Sequence, residues 1–204
     1  MNMNEEELDK YCQFIRVITG RIEEHFQDQQ EYIHCKEGCA RCCKNGEYPC
    51  SEKEYEFIKI GFMSIPEETQ KIIIDKILKI QKDKKNFKGK KFIYECPFLI
   101  NDRCSIYRFR MIICRTFGLA YYEHKENEKD TIKIPFCMNE GLNYSDVFDK
   151  DSNTLTSEKF KKMGYKKEPI AFNLGPEDLK TKFGKEIMNI DFGEEKTLFD
   201  WLIQ

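Results

Sequence analysis

The chain lacks the features that would send it into or across a membrane. Its first residues, MNMNEEELDK, carry neither the basic n-region nor the apolar h-region of a secretory signal, and no apolar run approaches membrane-spanning length. It also lacks a charge surplus. The 34 Lys and Arg stand against 36 Asp and Glu, a formal net charge of -2, which removes any global electrostatic case for nucleic acid or an anionic membrane. No glycine-rich strand-to-helix loop of the dinucleotide-binding kind occurs, and no internal repeat. A soluble, cytoplasmic chain is the expectation. At 204 residues it is long enough to bury a core without disulfide staples.

What the sequence has in quantity is cysteine, ten in all. In a reducing compartment these are thiols, and clustered thiols point to metal or redox chemistry rather than to structural bridges. The stretch HCKEGCARCCKNGEYPC, residues 34–50, holds five of them, and no cysteine follows Cys137.

The surrounding pattern predicts a mainly α chain with a small β-hairpin (α+β), its cysteine-ligated metal core lying between a helical N-terminal part and a helical C-terminal appendage. Apolar residues from Leu8 to Ile33 recur at three- and four-residue steps, predicting one amphipathic helix over about 4–33 with Cys12 on its apolar face. Ser51 and Glu54 form a capping box that starts a helix to about Phe62, and Ser64-Ile-Pro66-Glu67 starts another to about Lys85. FGLAYYE and TIKIPFC flank the polar stretch HKENEKD and read as a hairpin. Later helices begin near Pro176 and Glu194. The expected division is a cysteine-cluster domain over 1–140 with an appendage over 141–204 packed on it, the two making one folding unit. DFG at Asp191–Gly193 has neither an HRD loop nor a phosphate loop beside it and reads as a turn. The last helix, with Leu198, Phe199, Trp201 and Leu202, is expected to dock on the core.

Two sets of cysteines carry the chemistry. Cys35, Cys39, Cys42 and Cys43 are spaced C-x3-C-x2-C-C, and Cys96, Cys104, Cys114 and Cys137 form a looser set. Thiolates three or four positions apart in a tight loop can converge on one centre, whereas adjacent residues usually face apart, so Cys43 is expected to point away from Cys42. Eight thiols suffice for two zinc sites, two iron–sulfur clusters, or one cluster with thiols to spare. Four thiolates around a divalent metal leave about two negative charges to be offset. Lys36, Arg41 and Lys44 interleave with the first set, and Arg103, Arg108, Arg110 and Arg115 with the second. These cations serve either to offset the thiolates, as solvated surface, or as phosphate contacts with Tyr107 and Phe109 as stacking partners. Cys50 falls outside the spacing and reads as a packed loop cysteine; His25, His34 and His124 read as non-ligands.

HCKEGCARCCKNG and ECPFLINDRCSIYRFRMIICRTFG resemble the first and second signatures of the CxxCxxCC zinc- or iron-chelating domain, the YkgJ-type cysteine-cluster proteins. The resemblance covers about residues 30–140. One departure is that the usual Arg-Pro pair is Arg110-Met111 here, which removes a fixed backbone angle before Cys114. The resemblance implies metal or iron–sulfur binding through Cys35, Cys39, Cys42, Cys43, Cys96, Cys104, Cys114 and Cys137. The cysteine region is also similar to that of a flagellin lysine N-methylase.

Three functions follow as expectations. The first is a metal-binding protein holding one or two cysteine-ligated centres, an Fe-S cluster in preference to Zn because adjacent cysteines suit a polynuclear centre, with a redox, metal-handling or scaffold role. The second is an S-adenosylmethionine-linked protein methylase, and the third a structural zinc module that presents a surface to a protein partner. No catalytic residue is assigned, and whether the chain is an enzyme stays open.

Overall fold

The structure is a computed structural model and describes residues 3–124 and 127–204. Met1 and Asn2 of the N-terminal stretch and Lys125 and Glu126 of HKENEKD lie outside the described residues. The chain is mainly helical with short antiparallel strand pairs. It forms two compact units, each built from separated stretches: Met1–Leu8, Glu37–Cys114 and Asp191–Gln204 in the first, Asp9–Lys36 and Arg115–Ile190 in the second. Residue 141, where the appendage was expected to begin, is internal to the second unit.

Helix α1 spans Glu5–Asp28. Asn4 opens it by exchanging bonds with Glu7, the Glu7 amide donating to Asn4 Oδ1 and the Asn4 amide to Glu7 Oε2, which satisfies orphan donors of the first turn. The apolar periodicity runs on to Ile33, but the helix stops at Asp28. Buried Gln29 spends its side chain elsewhere: Oε1 accepts from the Ile170 amide at 2.8 Å, and Nε2 donates to the Glu168 carbonyl at 3.3 Å. A single 3-10 turn, Gln30–Tyr32, follows, and Ile33 is extended. Cys12 is half-buried on this helix rather than fully in the core.

In the first unit the chain enters strand β1 (Pro49–Ser51), helix α2 (Glu52–Ser64) and helix α3 (Glu67–Asn86). The Ser51–Glu54 capping box forms as predicted. On α3, Ile73 and Ile80 are buried while Ile74 and Leu78 face solvent, giving one apolar stripe. Strands β2 (Leu99–Ile100) and β3 (Arg103–Cys104) pair tightly, with both loop residues, Asn101 and Asp102, at positive φ. A two-residue loop of this type matches the strand twist, and Asn and Asp tolerate the left-handed region best among residues with a side chain. The pairing sets Cys104 opposite Leu99. Short helix α4 (Ile112–Thr116) then carries Cys114.

Strands β4 (Tyr121–Glu123) and β5 (Thr131–Lys133) of the second unit form the expected hairpin. Its core joins Tyr32, Ala120, Tyr144, Val147, Phe160 and Ala171. Two further antiparallel pairs were not anticipated: Phe148–Asp149 with Thr154–Leu155 in this unit, and Glu195–Thr197 with β1 in the first. The last of these delays the final helix, expected near Glu194, to Leu198–Leu202, where Thr197 caps it by accepting from the Asp200 amide. Pro176 does open a helix, Pro176–Asp178, which continues to Ile187 with a wider winding. Asp191–Gly193 is a turn, the Gly193 amide donating to Asp191 Oδ1 at 3.0 Å with Gly193 at φ +66.

The terminal helix docks within the first unit as expected. Leu198 and Trp201 join Cys50, Ile58, Ile73, Phe98, Ile106 and Met111 in one buried cluster. Trp201 Nε1 donates to the Cys50 carbonyl at 2.8 Å, and Cys50 itself is wholly buried there. It is a packing residue, in keeping with its place outside the motif.

Candidate metal centre

Cys96, Cys104 and Cys114 sit at the rim of that apolar cluster, half-buried against it. The first-motif loop reaches the same place through its backbone. Residues 40–45 curl into a turn, with the Lys44 amide donating to the Ala40 and Arg41 carbonyls and the Asn45 amide to the Cys42 carbonyl. The Cys96 amide then donates to the Cys43 carbonyl at 2.7 Å and the Tyr94 amide to Gly46 at 3.1 Å. Residues far apart in the sequence are thus held side by side within one unit.

The thiols also act on one another electrostatically. Cys42 and Cys104 act on Cys96, while Cys96, Cys104 and Cys42 act on Cys114. Cys42, Cys114, Cys43 and Cys96 all act on Tyr48, whose hydroxyl donates to the Cys42 carbonyl at 2.8 Å. Five predicted ligands, Cys42, Cys43, Cys96, Cys104 and Cys114, therefore share one neighbourhood of the first unit. Cys39 is half-buried at the start of the same turn.

The neighbouring Cys43, together with burial, raises the Cys42 pKa above the ordinary thiol range. Burial pushes the Cys96 thiol up to about 12 and holds Cys114 well above its usual value, with Arg110 pulling Cys114 the other way and Lys76 doing the same for Cys96.

Of the cations predicted to offset thiolate charge, Arg110 acts to lower the Cys114 pKa and stacks on Tyr107, 3.9 Å from the ring centroid. Lys44 pairs with Asp102 at 2.5 Å, Arg103 with Glu37 at 3.0 Å, and Arg115 donates to Thr19 at 3.0 Å. Lys76 was missed, because it lies on α3 outside both motifs. It also bonds the Glu95 carboxylate at 2.7 Å and the Leu99 carbonyl, so it braces the strand that leads to Cys104.

Replacing the usual proline by Met111 leaves the turn intact. Arg110 holds φ -68 and ψ 154, the extended conformation a following proline would impose, and Met111 is buried in the core cluster instead. The amide of Ile112 that opens α4 donates to Glu54 Oε1 at 2.8 Å. Glu54 thus ties the start of α2 to the start of the helix bearing Cys114, a second use of the capping-box residue that the local pattern does not reveal.

Cys35 and Cys137 belong to the second unit. Cys35 is exposed beside an open surface pocket lined by Ile33, His34, Cys35, Lys36, Gly141 and Leu142. Its Sγ accepts from Asn143 Nδ2 at 3.2 Å. Cys137 is buried in a 3-10 turn, Phe136–Glu140, and its carbonyl accepts from the Leu142 amide at 3.1 Å. His124 pairs with Asp130 at 2.8 Å and contacts the Asn173 carbonyl, a surface arrangement with no thiol in it.

The donor set suits a soft or borderline metal: thiols, with cations and amides near enough to balance charge. Among the described residues no three His, Cys, Asp or Glu side chains already stand together in ion-holding geometry. Protonated thiols at the edge of an apolar core pack as small hydrophobes, and ligation requires their deprotonation and approach.

No curated protein and no solved structure matches the chain. Among the described residues no helix is long and apolar enough to cross a membrane. Residues 34–138, more than half of the chain, match the family CxxCxxCC, described as a "putative zinc- or iron-chelating domain". With both cysteine motifs inside that span, the chain belongs to the CxxCxxCC family of zinc- or iron-chelating domains.

Proposed function

We propose that the protein is a cytoplasmic metal-binding protein whose cysteines hold an iron–sulfur centre, with a redox, metal-handling or scaffold role. The observation that carries this reading is the gathering of Cys42, Cys43, Cys96, Cys104 and Cys114 in one neighbourhood. Five thiols exceed what one tetrahedral zinc takes, and two of them, Cys42 and Cys43, are adjacent in the chain. A polynuclear centre accommodates neighbouring thiolates on different metal atoms, which a mononuclear tetrahedron does not. Once bound, such a centre supplies one-electron chemistry or a fixed cross-link between the two motifs.

The chain's own residues do the rest. The apolar cluster beneath Cys96, Cys104 and Cys114 limits water, Arg110 and Lys76 offset negative charge, and Glu54 fixes the helix that carries Cys114. Cys35, Cys39 and Cys137 complete the proposed ligand inventory on the strength of the motif spacing.

The test is purification under strict anaerobiosis, with metal analysis, optical absorption and iron and sulfide quantitation on one sample. Iron with equivalent sulfide and a visible absorption band is expected. A colourless protein with stoichiometric zinc after anaerobic reconstitution would overturn the iron–sulfur assignment in favour of a structural zinc module.

A further inference from the structure

We infer that Asn143, a residue outside the family-matching segment, is the positioning residue for the Cys35 sulfur. The inference rests on the reading of Cys35 as a ligand, and its basis is the number of bonds that one buried amide makes around that thiol.

Asn143 is 1% exposed. Its Oδ1 accepts from the His34 amide at 2.8 Å, and its Nδ2 donates both to the Gly118 carbonyl at 2.7 Å and to Cys35 Sγ at 3.2 Å. The orientation of the amide is forced, since the His34 N–H can only donate and the Gly118 carbonyl can only accept. The group facing the sulfur is therefore an N–H in every protonation state of the thiol. The amide fixes the sulfur in place through a main-chain anchor on each side.

The rest of the pocket is shaped to the same end. Gly118 stands at φ +103, a left-handed conformation, and a Cβ there would lie 2.7 Å from Cys35 Sγ and 3.0 Å from Asn143 Nδ2. Only glycine lets the backbone approach the sulfur this closely. Tyr144, next in the chain, is held at φ +61, an uncommon state for a residue with a side chain. Its amide donates to the Tyr32 carbonyl at 2.9 Å, and its ring stacks on Tyr32 with centroids 6.0 Å apart. Residues 143–144 thus grip the 32–35 segment at two successive points, by the Tyr144 amide to Tyr32 and by the Asn143 side chain to His34 and Cys35. The geometry is that of a group supporting a ligand, in a segment that carries no cysteine of its own.

The experiment compares metal retention against a chelator in wild type, C35S, N143L and the N143L/C35S double variant, each metal-loaded under the same conditions. N143L keeps the size of the side chain and removes all three bonds. N143D keeps the acceptor for the His34 amide but places a carboxylate against the sulfur, and it covers the case in which N143L does not fold. Loss of a group supporting a metal ligand weakens binding by about tenfold or more, and that loss is expected in N143L and N143D but not on top of C35S. Circular dichroism and thermal unfolding check that each variant is folded. Equal loss from N143L in the C35S background shows an effect on the fold and overturns the inference, as does wild-type retention in both Asn143 variants while C35S loses metal. If C35S itself retains metal, the ligand reading fails instead. Positioning is then read separately from iodoacetamide alkylation of Cys35 in the metal-free protein, mapped by peptide mass, where several-fold faster modification in N143L than in wild type is expected and an unchanged rate overturns it.

Discussion

Replacing Glu54 by alanine removes a buried acceptor that serves two helices at once. Glu54 is 3% exposed, and its carboxylate accepts from the Ser51 amide at 2.9 Å, the Ser51 hydroxyl at 2.7 Å and the Ile112 amide at 2.8 Å. The Ser51 hydroxyl can turn to other partners, but the two amides cannot move. Each buried donor left unpaired costs about 1–3 kcal/mol, so E54A is expected to lose about 3 kcal/mol net. For a chain of this size that corresponds to a drop of about 6–12 °C in Tm, read by circular dichroism on the metal-free protein. E54Q is the sharper variant. Its Oε1 still serves Ile112, but its amide nitrogen faces the Ser51 N–H, donor against donor, so it is expected to fall between wild type and E54A. Because Ile112 opens the helix that carries Cys114, both variants are also expected to release metal to a chelator faster than wild type. An E54A protein melting within about 2 °C of wild type would refute the reasoning, since no rearrangement short of solvent entry satisfies both amides.

Three further outcomes follow from the same geometry. Trp201→Ala removes a large side chain from the first unit's core and the bond to the Cys50 carbonyl, and is expected to cost about 3–5 kcal/mol in denaturant unfolding; an unchanged midpoint would show that the terminal helix does not dock. Metal retention is expected to fall as pH falls, because the raised thiols Cys42, Cys96 and Cys114 are protonated without metal and must release protons to bind it; chelator competition at pH 6.5 and 8.5, showing equal affinity, would contradict this. Serine at Cys96 or Cys114 is expected to abolish full metal loading, while serine at Cys12 or Cys50 leaves the metal content unchanged, which metal analysis of the four variants decides.

The parts of this structure that the sequence reveals are those whose geometry is set within a turn of chain. The Ser51–Glu54 box, the Thr131–Lys133 hairpin and the Pro176 helix start all rest on partners a few residues apart, where backbone dihedrals leave little choice. Asn101-Asp102 is a hairpin loop in plain sight, but strands of two residues carry too little alternation to announce it.

Contacts across the chain divide differently, by how ambiguous each residue type is. Cys42 and Cys96 could be assigned to one inventory without any structure, because sulfur at motif spacing has few ordinary uses. Glu54 and Asn143 could not be assigned to their roles. Their decisive bonds span 58 residues to Ile112 and 108 to Cys35, and glutamate in a first turn or asparagine in a loop has a sufficient local explanation in almost any sequence. A residue that already satisfies a local rule gives no sign of a second duty. The groups that hold a ligand in place are therefore the least legible part of a metal centre, although their loss costs it about 10–100-fold in affinity.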